Sequence, residues 1–178
     1  MGGFGFNRLL SHRGVTFIEL LVTLAIIFIL ASVALPITKV STKRSQELEL
    51  RQTLRTVRSA IDLFREEWAR DGGTLVGPLC TKNQLTCKEH TGLSGYPKSL
   101  DQLLRIELSG AEAQTDDTPD IRRYLRRIPI DPMTGTDEWG IRCYQDEPDV
   151  DRWCGEDVFD IYTTSPRTAL DKTKYRDW

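Results

Sequence analysis

The apolar residues of this chain are concentrated near its N-terminus. Between residues 15 and 35 the only charged side chain is Glu19, and an apolar run of about 20 residues can cross a bilayer as an α-helix. Beyond it, apolar positions recur every three or four residues, at Leu50, Leu54, Val57, Ile61, Phe64 and Trp68. This spacing predicts an amphipathic helix that ends near Gly72 and Gly73. A coiled coil is the alternative, although fewer than three full heptads follow Leu50.

The rest of the chain predicts a small head of loops, one short helix and two strands. Residues 74–95 are rich in glycine, threonine and polar side chains, which is typical of a loop. Residues 96–104 combine a proline turn with helical apolar spacing, and Ser99 is the candidate N-cap. The strand patterns lie at residues 139–144 and 158–163.

Four cysteines, all beyond the apolar run, add a constraint. Their even number is typical of disulfides in an oxidising compartment, so we expect the C-terminal part to be exported. Four cysteines allow three pairings, and we expect the sequence-local one, Cys80 with Cys87 and Cys143 with Cys154. A zinc site formed by Cys80, Cys87 and His90 is the alternative, but its C-x6-C-x2-H spacing differs from the usual knuckle.

The charge of the chain and its few candidate catalytic residues argue against nucleic-acid binding and against enzyme activity. The formal net charge of -2 and the lack of a long cationic run give no indication of nucleic-acid binding. His12 and His90 are the only histidines, and no glycine-rich phosphate loop follows a predicted strand. A hydrolase that uses only carboxylates stays open, because paired acids are recognised by geometry. We therefore expect no enzyme.

Residues 13–20 consist of a basic residue, a glycine and the start of the apolar run, which contains one glutamate. Gly14 has no side chain, so the peptide bond before Val15 can enter a protease cleft in an extended form. A glutamate in hydrocarbon is costly and is normally retained where a partner relieves it. Cleavage would create an amine at Val15 that can pair with Glu19 of a neighbouring copy. An ordinary signal peptide cleaved after Ala34 and a plain signal anchor stay open as alternatives.

These residues resemble the class III signal of type IV pilins and type II secretion pseudopilins, in which a membrane peptidase cuts after the glycine and methylates the new N-terminus. The resemblance implies cleavage between Gly14 and Val15 and N-methylation of Val15, which stands where phenylalanine is most common in the family. It implies an assembly role for Glu19. Pro36 matches a proline common in the family, and because it has no N–H it would kink or loosen the helix.

The resemblance extends into the head. The order of YPKSLDQLL, YLRRIPIDPMTG, EWG and FDIYTTS is similar to that of the major, G-type pseudopilins. It implies an α+β fold, in which a long N-terminal helix packs on a small antiparallel sheet with disulfide-tied loops. The implied organisation is a leader at 1–14, a transmembrane and polymerisation helix at 15–37, and a periplasmic head at 38–178 that includes the amphipathic half of the helix.

The same resemblance implies a function and a set of partners. We expect a structural subunit of a type II secretion pseudopilus, single-pass in a bacterial inner membrane, with its head in the periplasm. The expected partners are copies of itself, the prepilin peptidase, the inner-membrane assembly platform and minor pseudopilins. The alternative is a type IV pilin, or a minor pilin of a surface fibre.

The sequence does not define a metal site. Related pseudopilins often hold calcium in an acidic C-terminal loop, but here residues 165–178 contain two acids against four bases. A denser acidic cluster lies just before, and such runs are usually solvated loops: Asp146, Glu147, Asp149, Asp151, Glu156 and Asp157. We expect no cofactor, with calcium as the candidate if one is bound.

Overall fold

The computed structural model of the chain describes residues 14–69, 76–108, 120–147, 150 and 152–178, and only the backbone at 33–37. The predicted leader before Gly14, the predicted helix stop at Gly72 and Gly73, and the side chain of Pro36 lie outside the described residues. The chain forms two compact units, Met1–Thr42 and Lys43–Trp178. Each unit is described by itself.

Helix α1 (Phe17–Trp68) begins in the first unit and ends in the second. In the first unit its described side chains are exposed and mostly apolar. The hydroxyl of Thr23 donates to the carbonyl oxygen of Leu20 at 2.9 Å, and that of Ser32 donates to Ile29 at 2.7 Å. Because these hydroxyls bond within the helix, the surface offers few free polar groups to an apolar surrounding.

In the second unit, α1 supplies one side of the hydrophobic core. All six residues of the predicted apolar face are buried, each exposed by 2% or less. Burying a side chain of this size contributes about 1.5–3 kcal/mol, so this face is the main attachment between helix and head. The prediction of an amphipathic helix in this region is confirmed.

The segment after α1 forms two short helices, so the prediction of a loop at residues 74–95 was wrong there. Helix α2 (Pro78–Lys82) starts with a proline at its first position, where the missing N–H costs nothing. Helix α3 (Gln84–His90) follows after Asn83, whose carbonyl oxygen accepts a hydrogen bond from the N–H of Cys87 at 2.8 Å.

The predicted short helix is present as a 3-10 helix, Leu100–Leu103. Ser99 occupies its N-cap position, but its side chain makes no capping hydrogen bond. The turn is fixed instead by Gln102, whose Oε1 accepts a hydrogen bond from the N–H of Lys98 at 2.8 Å.

The described strands form two antiparallel pairs. Strands β1 (Ile106–Glu107) and β2 (Ile121–Arg122) pair Ile106 with Arg122, and neither strand was predicted. Strands β3 (Gly140–Arg142) and β4 (Asp160–Tyr162) lie inside the two predicted strand segments and pair Ile141 with Ile161. A Cβ at Gly140 would collide with the ring of Tyr162, which explains the glycine after Trp139.

Polar contacts attach both strand pairs of the head to α1. Arg58 donates to both carboxylate oxygens of Asp160 in β4, at 2.6 and 3.2 Å. Glu67 accepts hydrogen bonds from Arg122 of β2 and from the hydroxyl of Tyr124. A long helix therefore packs on small antiparallel sheets, and the predicted α+β fold is confirmed.

Candidate assembly site at the start of the first helix

Thr16 occupies the N-cap position of α1. Its Oγ1 accepts a hydrogen bond from the N–H of Glu19 at 3.4 Å, and its carbonyl oxygen accepts one from the N–H of Leu20 at 3.1 Å. Thr16 and Glu19 have the spacing of a capping box, a threonine followed three residues later by a glutamate. The sequence interpretation missed this cap, although the T-x-x-E pattern was readable.

The predicted cleavage position lies just before this cap. Gly14 and Val15 are exposed and precede the helix, which begins at Phe17. A Cβ added at Gly14 would meet nothing within 4 Å. The backbone between Gly14 and Val15 is therefore exposed and outside the helix, as a peptidase substrate requires.

Glu19 lies in the first turn of α1, where the helix dipole favours an acid. Its carboxylate makes no ion pair or hydrogen bond with any residue that the structure describes. Its apolar neighbours along the helix are exposed, with Phe17 at 78%, Ile18 at 66% and Leu20 at 49%. The site thus combines an acid that has no described partner with an exposed apolar surface. The acid favours a cationic partner, and the apolar surface favours an apolar one.

The comparison with family models addresses this segment directly. Residues 9–35 match the prokaryotic N-terminal methylation motif. This match supports a type IV pilin-like protein. It covers Gly14, Val15, Glu19 and the apolar part of α1, so the motif includes the predicted cleavage position and the exposed acid. The motif also suggests a membrane-anchored N-terminal helix.

The other comparisons add no relative. Neither the comparison with curated proteins nor that with solved structures gave a match. Among the described residues, no helix has both the length and the apolar character needed to span a membrane.

The cysteines of the chain form the two predicted disulfides. Cys80 bonds Cys87 and Cys143 bonds Cys154, across separations of 7 and 11 residues. The first bond ties α2 to α3, and the second closes the acidic loop. The alternative of a zinc site with His90 is wrong, because the sulfur atoms of both candidate cysteines are bonded to each other.

The acidic cluster has a structural use in the head. Asp146 Oδ2 accepts a hydrogen bond from the N–H of Cys143 at 2.8 Å, and Asp157 Oδ1 accepts one from the N–H of Tyr144 at 3.0 Å. Asp146 also lies within 4.8 Å of the sulfur atoms of Cys143 and Cys154, but a disulfide is a poor metal ligand. Asp149 and Asp151 lie outside the described residues.

Arginines along α1 were not predicted to matter, yet three of them contact the head. The guanidinium of Arg51 lies 4.2 Å from the ring centroid of Trp178, and that of Arg65 lies 4.7 Å from the ring of Tyr96. Arg58, seven residues from each, pairs with Asp160. The sequence signal was their seven-residue spacing, which keeps side chains close to one helix face.

Proposed function

We propose that this pilin-like chain is a structural subunit of a type II secretion pseudopilus, and not an enzyme. In this proposal the prepilin peptidase cleaves after Gly14 and the new N-terminus at Val15 is methylated. The subunit stays in the bacterial inner membrane as a single-pass protein, with its head in the periplasm, until it enters the filament. Its partners are copies of itself, the inner-membrane assembly platform and minor pseudopilins.

The observation that carries the proposal is the exposed carboxylate of Glu19 on a bare apolar helix, inside a matched methylation motif. Cleavage would leave an amine at Val15, four residues before Glu19. At a rise of 1.5 Å per residue, two parallel copies offset by about 6 Å bring the amine of one level with the glutamate of the other. In an apolar setting few other polar groups can pair with the amine or with the carboxylate. The pair therefore fixes the offset between the two copies.

We also propose a role in assembly for Pro36, from the chemistry of proline. A proline within α1 removes one backbone hydrogen bond and allows the helix to bend or loosen there during packing in a filament. Its side chain lies outside the described residues, so its contribution rests on this chemistry alone.

Substitution of Glu19 tests the proposal. Glu19→Ala should leave cleavage intact because Gly14 is unchanged, and N-terminal sequencing of the membrane-extracted protein should begin at Val15. Sheared or cross-linked polymer should be lost while processed monomer accumulates. Glu19→Gln, which keeps the shape and removes the charge, should behave like Glu19→Ala.

Two results would contradict the proposal. A first residue at Leu35 would establish an ordinary signal peptide. Polymer at the wild-type level in both Glu19 variants would show that pairing between Val15 and Glu19 does not drive assembly.

The second candidate is a type IV pilin, or a minor pilin, of a surface fibre. The order of head segments favours the pseudopilin, because YPKSLDQLL and FDIYTTS follow the arrangement of G-type pseudopilins. Deletion of the gene separates the candidates: loss of secreted protein with surface fibres retained supports the pseudopilin, and loss of fibres with secretion retained supports the pilin.

A further inference from the structure

A stripe of four charged residues runs along the exposed side of α1 in the second unit. Arg51, Arg55, Asp62 and Glu66 are all exposed, and they are separated by four, seven and four residues. At about 100° per residue these spacings keep the four side chains within roughly 60° of one another around the helix. The stripe is basic in its first half and acidic in its second.

All four side chains of the stripe are exposed, although Arg51 also contacts the described part of the head. None of its four side chains forms an ion pair with another residue that the structure describes. Arg51 stacks on the ring of Trp178 at 4.2 Å, which leaves the N–H edge of its guanidinium available to a carboxylate. A shallow groove borders the basic half, and it is lined by Leu48, Arg51, Gln52, Arg55, Thr56 and Ser59. Leu48 is 65% exposed, so the groove also offers apolar surface.

The basic half and the acidic half of the stripe are too far apart to pair with each other within one chain. Pairing along a helix reaches three or four residues, whereas Arg55 and Asp62 are seven residues apart. Across two parallel copies they can meet: Asp62 follows Arg51, and Glu66 follows Arg55, by the same eleven residues. Eleven residues make about three helical turns and a rise of roughly 16 Å, so a single offset brings both pairs level on the same face.

We propose that this stripe is a docking surface for a second copy of the chain. Arg51 and Arg55 of one copy pair with Asp62 and Glu66 of the next, offset by about 16 Å along parallel helices. The same offset brings Arg44 level with Arg55, a like-charge approach that the two opposite pairs outweigh. The contact joins two different patches, so it is heterologous, and a heterologous contact propagates as an open helical array when its rotation does not close into a ring. It rests on the proposed function, and it belongs to a different neighbour from the contact at Val15 and Glu19.

Charge reversal on the full-length chain in membranes tests the pairing. The readout is cross-linked polymer relative to processed monomer. Arg55→Glu and Glu66→Arg should each lower this ratio about fivefold to tenfold, because an exposed attraction becomes a repulsion. The double variant Arg55→Glu/Glu66→Arg should recover most of the wild-type ratio. Glu49→Arg, a matched reversal at an exposed position of α1 outside the stripe, should leave the ratio unchanged.

Cysteine cross-linking tests the offset independently, since the four described cysteines are all in disulfides. Arg55→Cys/Glu66→Cys should give a ladder of covalently linked copies on mild oxidation. Arg55→Cys/Asp62→Cys, which reports a seven-residue offset, should give little ladder, as should Arg55→Cys alone. Protease resistance of the monomer shows that each variant is folded.

The outcomes separate this inference from the proposed function. Wild-type polymer together with rescue in the double variant supports the docking surface. Three results, each obtained while the wild-type chain still forms polymer, would overturn the docking surface and leave the proposed function standing. They are no loss of polymer in the single reversals, no recovery in the double variant, and a ladder at residues 55 and 62 instead of 55 and 66. Absence of wild-type polymer overturns both.

Discussion

Tyr175 provides a quantitative test of how the C-terminal segment is held on α1. Its side chain is 1% exposed, and its hydroxyl donates a hydrogen bond to Oε1 of Glu47 at 2.9 Å. The same oxygen accepts the N–H of Leu170 at 2.8 Å. Tyr175→Phe removes the donor and keeps the ring. A hydrogen bond to a charged acceptor contributes about 1.5–3 kcal/mol, and Glu47 keeps its second donor, so we expect a loss of about 1.5 kcal/mol in the free energy of unfolding.

The same substitution should change how stability depends on pH. Burial, followed by the hydrogen bond to Glu47, raises the pKa of Tyr175 from 10.0 to about 12. The folded state therefore holds the phenolic proton more tightly than the unfolded state. The stability that this contributes is fully present below pH 10 and is lost as the pH rises through about 12. Tyr175→Phe should flatten this decline. Burial also raises the pKa of Tyr124, but that contribution is common to both proteins.

Urea unfolding of the detergent-solubilised chain, followed by tryptophan fluorescence, measures both effects. All four tryptophans lie within residues 43–178, so the signal reports on the head. Tyr162→Phe is the matched control, because the hydroxyl of Tyr162 makes no hydrogen bond with a described residue. Equal stabilities of Tyr175→Phe and wild type near neutral pH, with the same alkaline decline, would refute the assigned role of the Glu47 contact.

Two further predictions concern the head. Replacing Cys80 and Cys87 by alanine should lower the free energy of unfolding by about 2 kcal/mol, as loop closure over 7 residues implies, and a urea titration that shows no loss would contradict this. Chelation with EDTA should leave the melting temperature unchanged, because Asp146 and Asp157 already accept backbone N–H groups. A fall of more than about 2 °C in differential scanning calorimetry would instead indicate a bound cation.

Periodicity was enough to predict the features that depend on one long element. The buried face of α1 follows directly from the spacing between Leu50 and Trp68, because a helix of this length presents the same face over several turns. The strands β3 and β4 were located because alternation and turn residues mark them on both sides. The sequence-local disulfides also follow from chain distance, since short loops close at low entropic cost.

The short elements could not be predicted in the same way. Helices α2 and α3 contain 5 and 7 residues, too few for a periodic signal. They are held by the bond between Cys80 and Cys87 and by burial of Cys87 at 1% exposure. Strands β1 and β2 have two residues each and depend on Arg122 reaching Glu67 of α1. Tertiary contacts, which local sequence does not encode, decide these segments.

The candidate site was predictable for a different reason. Gly14, Val15 and Glu19 stand out because a charge inside an apolar run needs an explanation. Thr16 did not stand out, since a threonine at the edge of such a run is ordinary. Its role as N-cap depends on where the helix begins, which an apolar pattern alone does not define to within a residue.

The arginines of α1 show why one helix can serve both the head and the proposed filament. Arg58 and Arg65 face the head, where Asp160 and the ring of Tyr96 hold them. Arg55 lies three residues before Arg58, about 60° away around the helix, and is exposed. The contact between Arg58 and Asp160 holds the head in a position around α1 that leaves Arg55 exposed. The attachments of the head therefore keep the charged stripe open, and weakening them should lower assembly even when the stripe itself is unchanged.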